Sequence, residues 1–252
     1  MTVTRWGERA AQLYDHAYAR RYRDHDDAIR DGTLVTHFSG WLGAACERFG
    51  RPIDVLDMGC GTGRYFRALR HVRRLVGIDV SRAMLAEAQH PVGDGAGSLG
   101  GPGDPGNRGT PVNTDALTLV EGDFLEYELE PAAFDLVYAI GVLAEHSPFD
   151  ARIARRVRGW LRPDGRFAFT AVHPLSFSVP RTPKRRAAEW LMPVAGPFRA
   201  VLRARLMRDG LYADEQRVRE VLGSTGFAVE SIELFESDVH LHCLTIARAT
   251  WT

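Results

Sequence analysis

The chain has little cysteine, almost no lysine, no net charge and no long apolar run. Its three cysteines, Cys46, Cys60 and Cys243, are odd in number and widely spaced. That excludes a disulfide framework and any zinc-type spacing, and it points to a reducing compartment, the cytoplasm. Lys+Arg and Asp+Glu both total 32. A balanced charge argues against a general nucleic-acid binder, which normally carries a basic excess. Lys184 is the one lysine among those basic residues; the preference for arginine reads as a coding bias and carries no mechanism. No uninterrupted apolar run approaches the ~20 residues of a membrane span. The first residues, Met-Thr-Val-Thr-Arg-Trp-Gly-Glu-Arg, have no apolar core of a secretion signal. At 252 residues the chain can form one α/β domain with a cap and a substantial core.

What the sequence does have is concentrated at Val55 to Gly63, Val-Leu-Asp-Met-Gly-Cys-Gly-Thr-Gly. Apolar residues end a buried strand, the acid Asp57 follows, and Gly59, Gly61 and Gly63 alternate with other residues. Alternating glycines let the backbone turn tightly and let a ligand meet bare main chain. The spacing predicts a helix from about Arg64 to His71, with its N-terminal N–H groups aimed at that ligand. A dinucleotide fingerprint would need a third glycine at position 64, where this chain has Arg. That disfavours a dehydrogenase. A carboxylate before the turn suits a cationic group, such as an amino acid's ammonium, better than a pyrophosphate.

Asp57-x-Gly59-x-Gly61-x-Gly63 resembles the first motif of class I S-adenosylmethionine-dependent methyltransferases, and companions follow in order. Val76-Gly-Ile-Asp79-Val80 is a second strand ending in an acid. Leu117-Thr-Leu-Val-Glu-Gly-Asp123-Phe124 is a third. Phe134-Asp-Leu-Val-Tyr-Ala-Ile140 is a fourth, and Leu161 to Thr170 gives the turn and fifth strand. The resemblance covers residues 50 to 175 well and the rest more loosely. It implies an α/β, Rossmann-like sheet of seven mostly parallel strands with an antiparallel last strand, and S-adenosylmethionine as cofactor. It implies that Asp79 holds the ribose hydroxyls, that Asp57 serves the turn and the methionine end, and that Asp123 meets the adenine amino group with Phe124 beside the base. Val80 and Met84 flank the ribose acid as apolar adenine contacts, and Ala139 ends the fourth strand on the cofactor side.

The first 50 residues read as a helical cap. Ala10, Leu13, Tyr14, Ala17, Tyr18 and Tyr22 recur at helix spacing, and a second helix is expected over 36–49. Residues 51–252 then form the methyltransferase domain that the resemblance implies, with strands and helices alternating to about 172. Two segments interrupt it. The glycine-rich stretch 92–114 has no periodicity and little to bury, so a surface insertion is expected. The stretch 174–210 is broken by prolines and carries Arg185, Arg186, Arg199, Arg203, Arg205 and Arg208. In the family an insertion after the fifth strand commonly forms a lid over the acceptor. Its basic residues read as a solvated face, or as a surface for an acidic or membrane-embedded acceptor. A helix ending at Leu222 and a hairpin of 227–235 with 239–248 complete the sheet.

Methyl transfer needs aligned partners and a nucleophilic acceptor; a hydroxyl acceptor needs its proton removed. His146, past the fourth strand, and His173, past the fifth, lie at the edge where open α/β sheets bind ligands. Each has two readings, a general base or a loop organiser. Ser147-Pro148 looks like an N-cap and first helical residue, which would place His146 at a helix entry. Metal-dependent relatives carry a glutamate three residues before the Glu-His pair; here Val142 stands there, so no metal is expected. His240 and His242 fall on one face of a strand with Cys243 on the other, and read as sheet packing. Tyr14, Tyr18 and Tyr22 share one helical face. Packing against the domain is one reading; the other, from the resemblance of Ala19-Arg-Arg-Tyr22 to the family's N-terminal helix, is that Tyr14 and Tyr22 close over the cofactor.

The expectation is therefore a cytoplasmic methyltransferase acting on a small apolar or aromatic acceptor, on an oxygen, in biosynthesis. Nucleic acid is not expected as a partner, peripheral membrane contact is left open, and the oligomeric state is not legible. Two alternatives stand: a non-catalytic S-adenosylmethionine-binding module, or methylation of N or C on a membrane-associated, quinone-like acceptor.

Overall fold

The computed structural model describes residues 4–90, 116–176, 190, 196, 211–237 and 240–251. The expected insertion at 92–114, most of the segment 174–210 and its six arginines lie outside them. Three helices open the chain: α1 (Arg5–Leu13), α2 (His16–Ile29) and α3 (Thr33–Glu47). The continuous tyrosine stripe expected for one helix is broken at Tyr14. Asp15 takes an extended conformation and its side chain accepts from the Tyr18 amide, starting a new helix.

Strands β1 (Ile53–Met58), β2 (Val72–Asp79), β3 (Leu117–Glu121), β4 (Phe134–Ala139) and β5 (Leu161–Val172) follow. Helix α4 (Arg82–Ala88) links β2 onward, and α5 (Ala151–Trp160) precedes β5. Helix α6 (Glu215–Gly223) leads to β6 (Phe227–Glu236) and β7 (Leu241–Ala249). The strand order is β3-β2-β1-β4-β5-β7-β6, with β1 to β5 parallel and β7 antiparallel to both its neighbours. This is the seven-stranded sheet expected from the resemblance.

The central strands β1 and β4 are buried along their whole length, as parallel strands covered on both faces must be. Alternate residues feed two cores. Leu56, Val137, Phe167 and Phe169 pack with α5 and α6 residues such as Val157 and Leu222. Val55, Leu136, Ala168 and Ile246 pack with Phe38 and Leu42 of α3. Each fully buried side chain of this size contributes roughly 1.5–3 kcal/mol.

The helix expected over 64–71 is absent. Only a short 3₁₀ turn forms, at Phe66–Ala68, after which Leu69 is extended and His71 has a φ of 53°. Phe66 and Leu69 are drawn into the core below α3 and are fully buried there. Covering that face by α3 leaves no room for a second amphipathic helix. At the edge of the sheet away from the glycine turn, Asp54 and Asp135 are buried among Arg51, Arg73 and Arg162. Asp135 therefore acts structurally, as its place early in β4 suggests.

Candidate active site

Beyond Met58 the chain turns through Gly59, Gly61 and Gly63, with φ of 80°, 53° and 74°. Side chains rarely adopt this left-handed region, which explains the alternating glycines. A Cβ on Gly59 would collide with Val142 and one on Gly63 with Phe66; one on Gly61 would meet open space. The turn thus packs on two glycines and offers the third to the cleft. Helix α2 fixes it from the other side. Asp26, fully buried, accepts from Thr62 Oγ1 and pairs with Arg64, while Arg23 donates to the Thr62 carbonyl.

The acids at the ends of the first three strands line the same cleft as this turn. Asp79 accepts from the amides of Gly61 and Ser81, each at 2.9 Å. These bonds orient the carboxylate. Burial raises its pKa against the opposing pull of those amides. Asp57 is buried and accepts from Tyr138 Oη at 2.6 Å. Burial pushes its pKa up to about 8, with Asp79 adding to the rise and Tyr138 opposing it. Asp123 accepts from both the amide and the hydroxyl of Thr4, at 2.8 and 2.5 Å. Thr4 N-caps α1, so this one residue seats the helix across that end of the cleft.

One continuous cleft of about 240 Å³ runs from these acids to a second end. Among the expected cofactor residues, Asp57, Gly59, Gly61, Asp79, Val80, Met84, Asp123, Phe124, Tyr14 and Tyr22 all line it. Gly63 and Ala139 do not; they shape the turn and the strand end beneath. Tyr14, Tyr18 and Tyr22 cluster with ring centroids 5.1 to 6.4 Å apart, and they pack on Ala19, Ala83 and Met84. Packing and cleft-lining are thus both true of Tyr14 and Tyr22. The Tyr14 carbonyl accepts from Ser81 Oγ, tying the cap to the start of α4.

The second end is walled by Leu34, Phe38, Tyr65 and Ile140. The loop after β4 brings polar groups to it. Gly141 and Ala144 take φ of 72° and 57°, and the amides of His146 and Ser147 donate to the Val142 carbonyl. This coil presents Glu145 and His146 to the cleft. It is not the expected helix entry: α5 is capped by Asp150, whose carboxylate accepts from the amides of Arg152 and Ile153. His146 Nε2 lies 3.1 Å from Tyr14 Oη and 3.8 Å from Glu145. Burial and the nearby His240 hold the His146 pKa below its ordinary value. Burial lifts Glu145 to about 7, against the pull of Arg64.

His173 is placed differently. It is buried outside the cleft lining, with Nδ1 accepting from the Leu175 amide and Nε2 3.2 Å from Glu215. Its two nitrogens serve the turn after β5. His240 and His242, read from sequence as sheet packing, instead line the cleft. His240 precedes β7, and its Nε2 lies 3.8 Å from Glu145. Thr4, Leu34, Phe38 and Tyr65 were not legible in the sequence, because they come from helices and turns with no motif of their own. Cys60, Thr62 and Arg64, within or directly after the glycines, are new lining residues beside a recognisable signal, as are Leu125 and Glu145.

A family model described as "Methyltransferase domain" matches residues 56–169. No curated protein matches the sequence. Among solved structures, the chain is similar to magnesium protoporphyrin IX methyltransferase from Synechocystis PCC 6803 with bound SAH. That match has a TM-score of 0.60 and 16% identity, and covers 97% of this chain and 100% of that one. It is also similar to an S-adenosylmethionine-dependent methyltransferase from Mesorhizobium loti (TM-score 0.54, 22% identity, covering 87% and 99%). A third is the Burkholderia thailandensis 1,6-didemethyltoxoflavin-N1-methyltransferase (TM-score 0.54, 18% identity, covering 100% and 93%). At these identities the likeness is one of fold.

Proposed function

We propose that this chain, which carries a class I S-adenosylmethionine-dependent methyltransferase domain, methylates an oxygen of a small, apolar or aromatic acceptor. The observation that carries the reading is the shape of the cleft. One end gathers Asp57, Asp79, Asp123 and the open face of Gly61; the other gathers His146 and Glu145 between aromatic walls. The donor set of the first end fits the cofactor. It offers a carboxylate for two hydroxyls at Asp79, a buried acid for an ammonium at Asp57, and a bare turn at Gly61.

When bound, S-adenosylmethionine supplies a methyl carbon on a positively charged sulfur, and transfer to a hydroxyl oxygen leaves that hydroxyl's proton to be removed. Leu34, Phe38 and Tyr65 hold the acceptor and exclude water. His146, neutral at ordinary pH because its pKa is held low, receives the proton. Glu145, 3.8 Å away, favours the imidazolium that results. The 1–50 segment acts as the cap over a 51–252 catalytic domain, with Tyr14 positioning His146. This division supports an enzyme over a binding module, since the polar groups gather where an acceptor, not the cofactor, would lie. Among the described residues no helix is long and apolar enough to cross a membrane.

The test is a screen of aromatic hydroxyls with radiolabelled cofactor, followed by His146→Ala. The variant should lose about 10²–10⁴-fold in kcat on a hydroxyl acceptor. Cofactor affinity should hold, and the deficit should shrink at high pH, where the acceptor ionises unaided. Near-normal rates and pH profile in His146→Ala would remove it as the base.

A further inference from the structure

Resting on the aromatic-acceptor reading, we propose that His242 recognises a second oxygen on the acceptor ring, so that the substrate is a dihydroxylated aromatic. One oxygen faces His146 and is methylated; the other hydrogen-bonds to His242.

His242 lies on β7, in register with Val172 and Phe235, and is almost fully buried. Its ring meets Phe38 edge-on at 5.2 Å and His240 at 5.3 Å. Among the described residues neither of its ring nitrogens has a hydrogen-bond partner. Arg64 and Ser147 in the same lining each leave one atom unpaired, but Arg64 is otherwise held by Asp26. A buried polar group without a partner is uncommon and calls for an explanation. Burial, with His240 nearby, pushes the His242 pKa down to about 4, so the ring is neutral. A neutral imidazole has one N–H donor and one lone-pair acceptor. A hydroxyl has the same pair of roles and pairs with one ring nitrogen in either tautomer. An acceptor with no second polar group would leave both nitrogens unpaired. The neighbouring Phe38 ring offers a flat apolar face for an aromatic body.

The alternative is that His242 is a packing residue, its edge contact with Phe38 being all it does. Calorimetry on the protein loaded with S-adenosylhomocysteine separates the two without turnover. The ligands are phenol, catechol, resorcinol and hydroquinone. At least one dihydroxybenzene should bind roughly 10- to 100-fold more tightly than phenol, the range for one buried hydrogen bond. His242→Phe, which keeps a flat ring, should erase that margin and leave phenol binding unchanged. His242→Gln, which keeps a donor and an acceptor, should restore part of it, and it serves as the test should the Phe variant fold poorly. On any ring that turns over, the loss should fall on KM and not on kcat. Equal binding of phenol and all three dihydroxybenzenes, or a margin that survives in His242→Phe, overturns the proposal alone. If no ring binds while the cofactor still does, the aromatic-acceptor reading fails with it.

Discussion

Asp57 shows how one residue's surroundings set its chemistry. It is a carboxylate by sequence, yet burial beside Tyr138 and Asp79 moves its pKa to about 8, so the free protein holds it protonated at neutral pH. Its folded pKa lies above the unfolded value near 3.8. Its contribution to stability is therefore complete below about pH 4 and is lost as pH rises through about 8. A cationic ligand group beside it favours the ionised form. Cofactor binding at pH 6 to 7 should then release a proton, seen as a dependence of calorimetric heat on the buffer's ionisation enthalpy. Asp57→Asn should abolish the buffer dependence and weaken binding. Buffer-independent heats in the unaltered protein would mean that Asp57 does not change its ionisation on binding.

At the scale of elements, the glycine turn is held by two partners it does not contain. Helix α2 grips it through Asp26 and Arg23, and Asp79 at the end of β2 accepts from the Gly61 amide. Gly61 alone faces open space, so Gly61→Val adds bulk without an internal clash, although its φ of 53° strains any β-branched residue. Thermal melting should show a folded protein with a modest loss of about 1–3 kcal/mol, and calorimetry should show no cofactor binding. Retained binding would place the ligand elsewhere. The same turn was expected to start a helix. The expectation followed from the turn's own glycines, but the next residues are pulled into the core under α3. The competition between local pattern and packing is settled by apolar burial, which the local pattern does not report.

Across the whole molecule, the two edges of the sheet carry different duties. At the glycine-turn edge Asp57, Asp79 and Glu145 have raised pKa values; the far edge ties four strands together through Asp54 and Asp135. Hydrogen bonds from Arg73, then Arg162, hold Asp54 down to about 2. Arg51, the Asp54 amide and Arg162 lower Asp135 despite its burial. For both acids the folded pKa lies below the unfolded one, so their stabilisation is present above about pH 4 and is lost as pH falls toward 2. Asp135→Ala removes the acceptor of Arg51, Arg162 and the buried Asp54 amide, while Arg162 keeps Asp54 and Arg51 is half-exposed; it should cost about 1–3 kcal/mol, the range for a buried donor left unpaired. It should also flatten the acid limb of a stability-against-pH curve while leaving cofactor affinity intact. A change in affinity would mean that the far edge is coupled to the site.

The succession of strands, the glycine turn and the three acids at the ends of the first three strands were legible because each is a short contiguous pattern. Apolar runs end in an acid, and glycines alternate where the backbone must turn left-handed. Such signals are local, so sequence determines them directly. The far end of the cleft was legible only at His146 and Tyr14. It is assembled from Tyr14, Leu34, Phe38, Tyr65, Glu145, His146 and His242, which have no spacing in common and meet only once α1 to α3 fold back over the sheet. The histidines make the point most clearly. His146, His173, His240 and His242 all lie near strand ends and look alike in sequence. Tertiary packing gave His173 two local partners, put His146 against Tyr14, and left His242 buried in the cleft wall without any. What separates them is the company each ring keeps, and that is set by long-range contacts among apolar residues, not by the residues beside it in the chain.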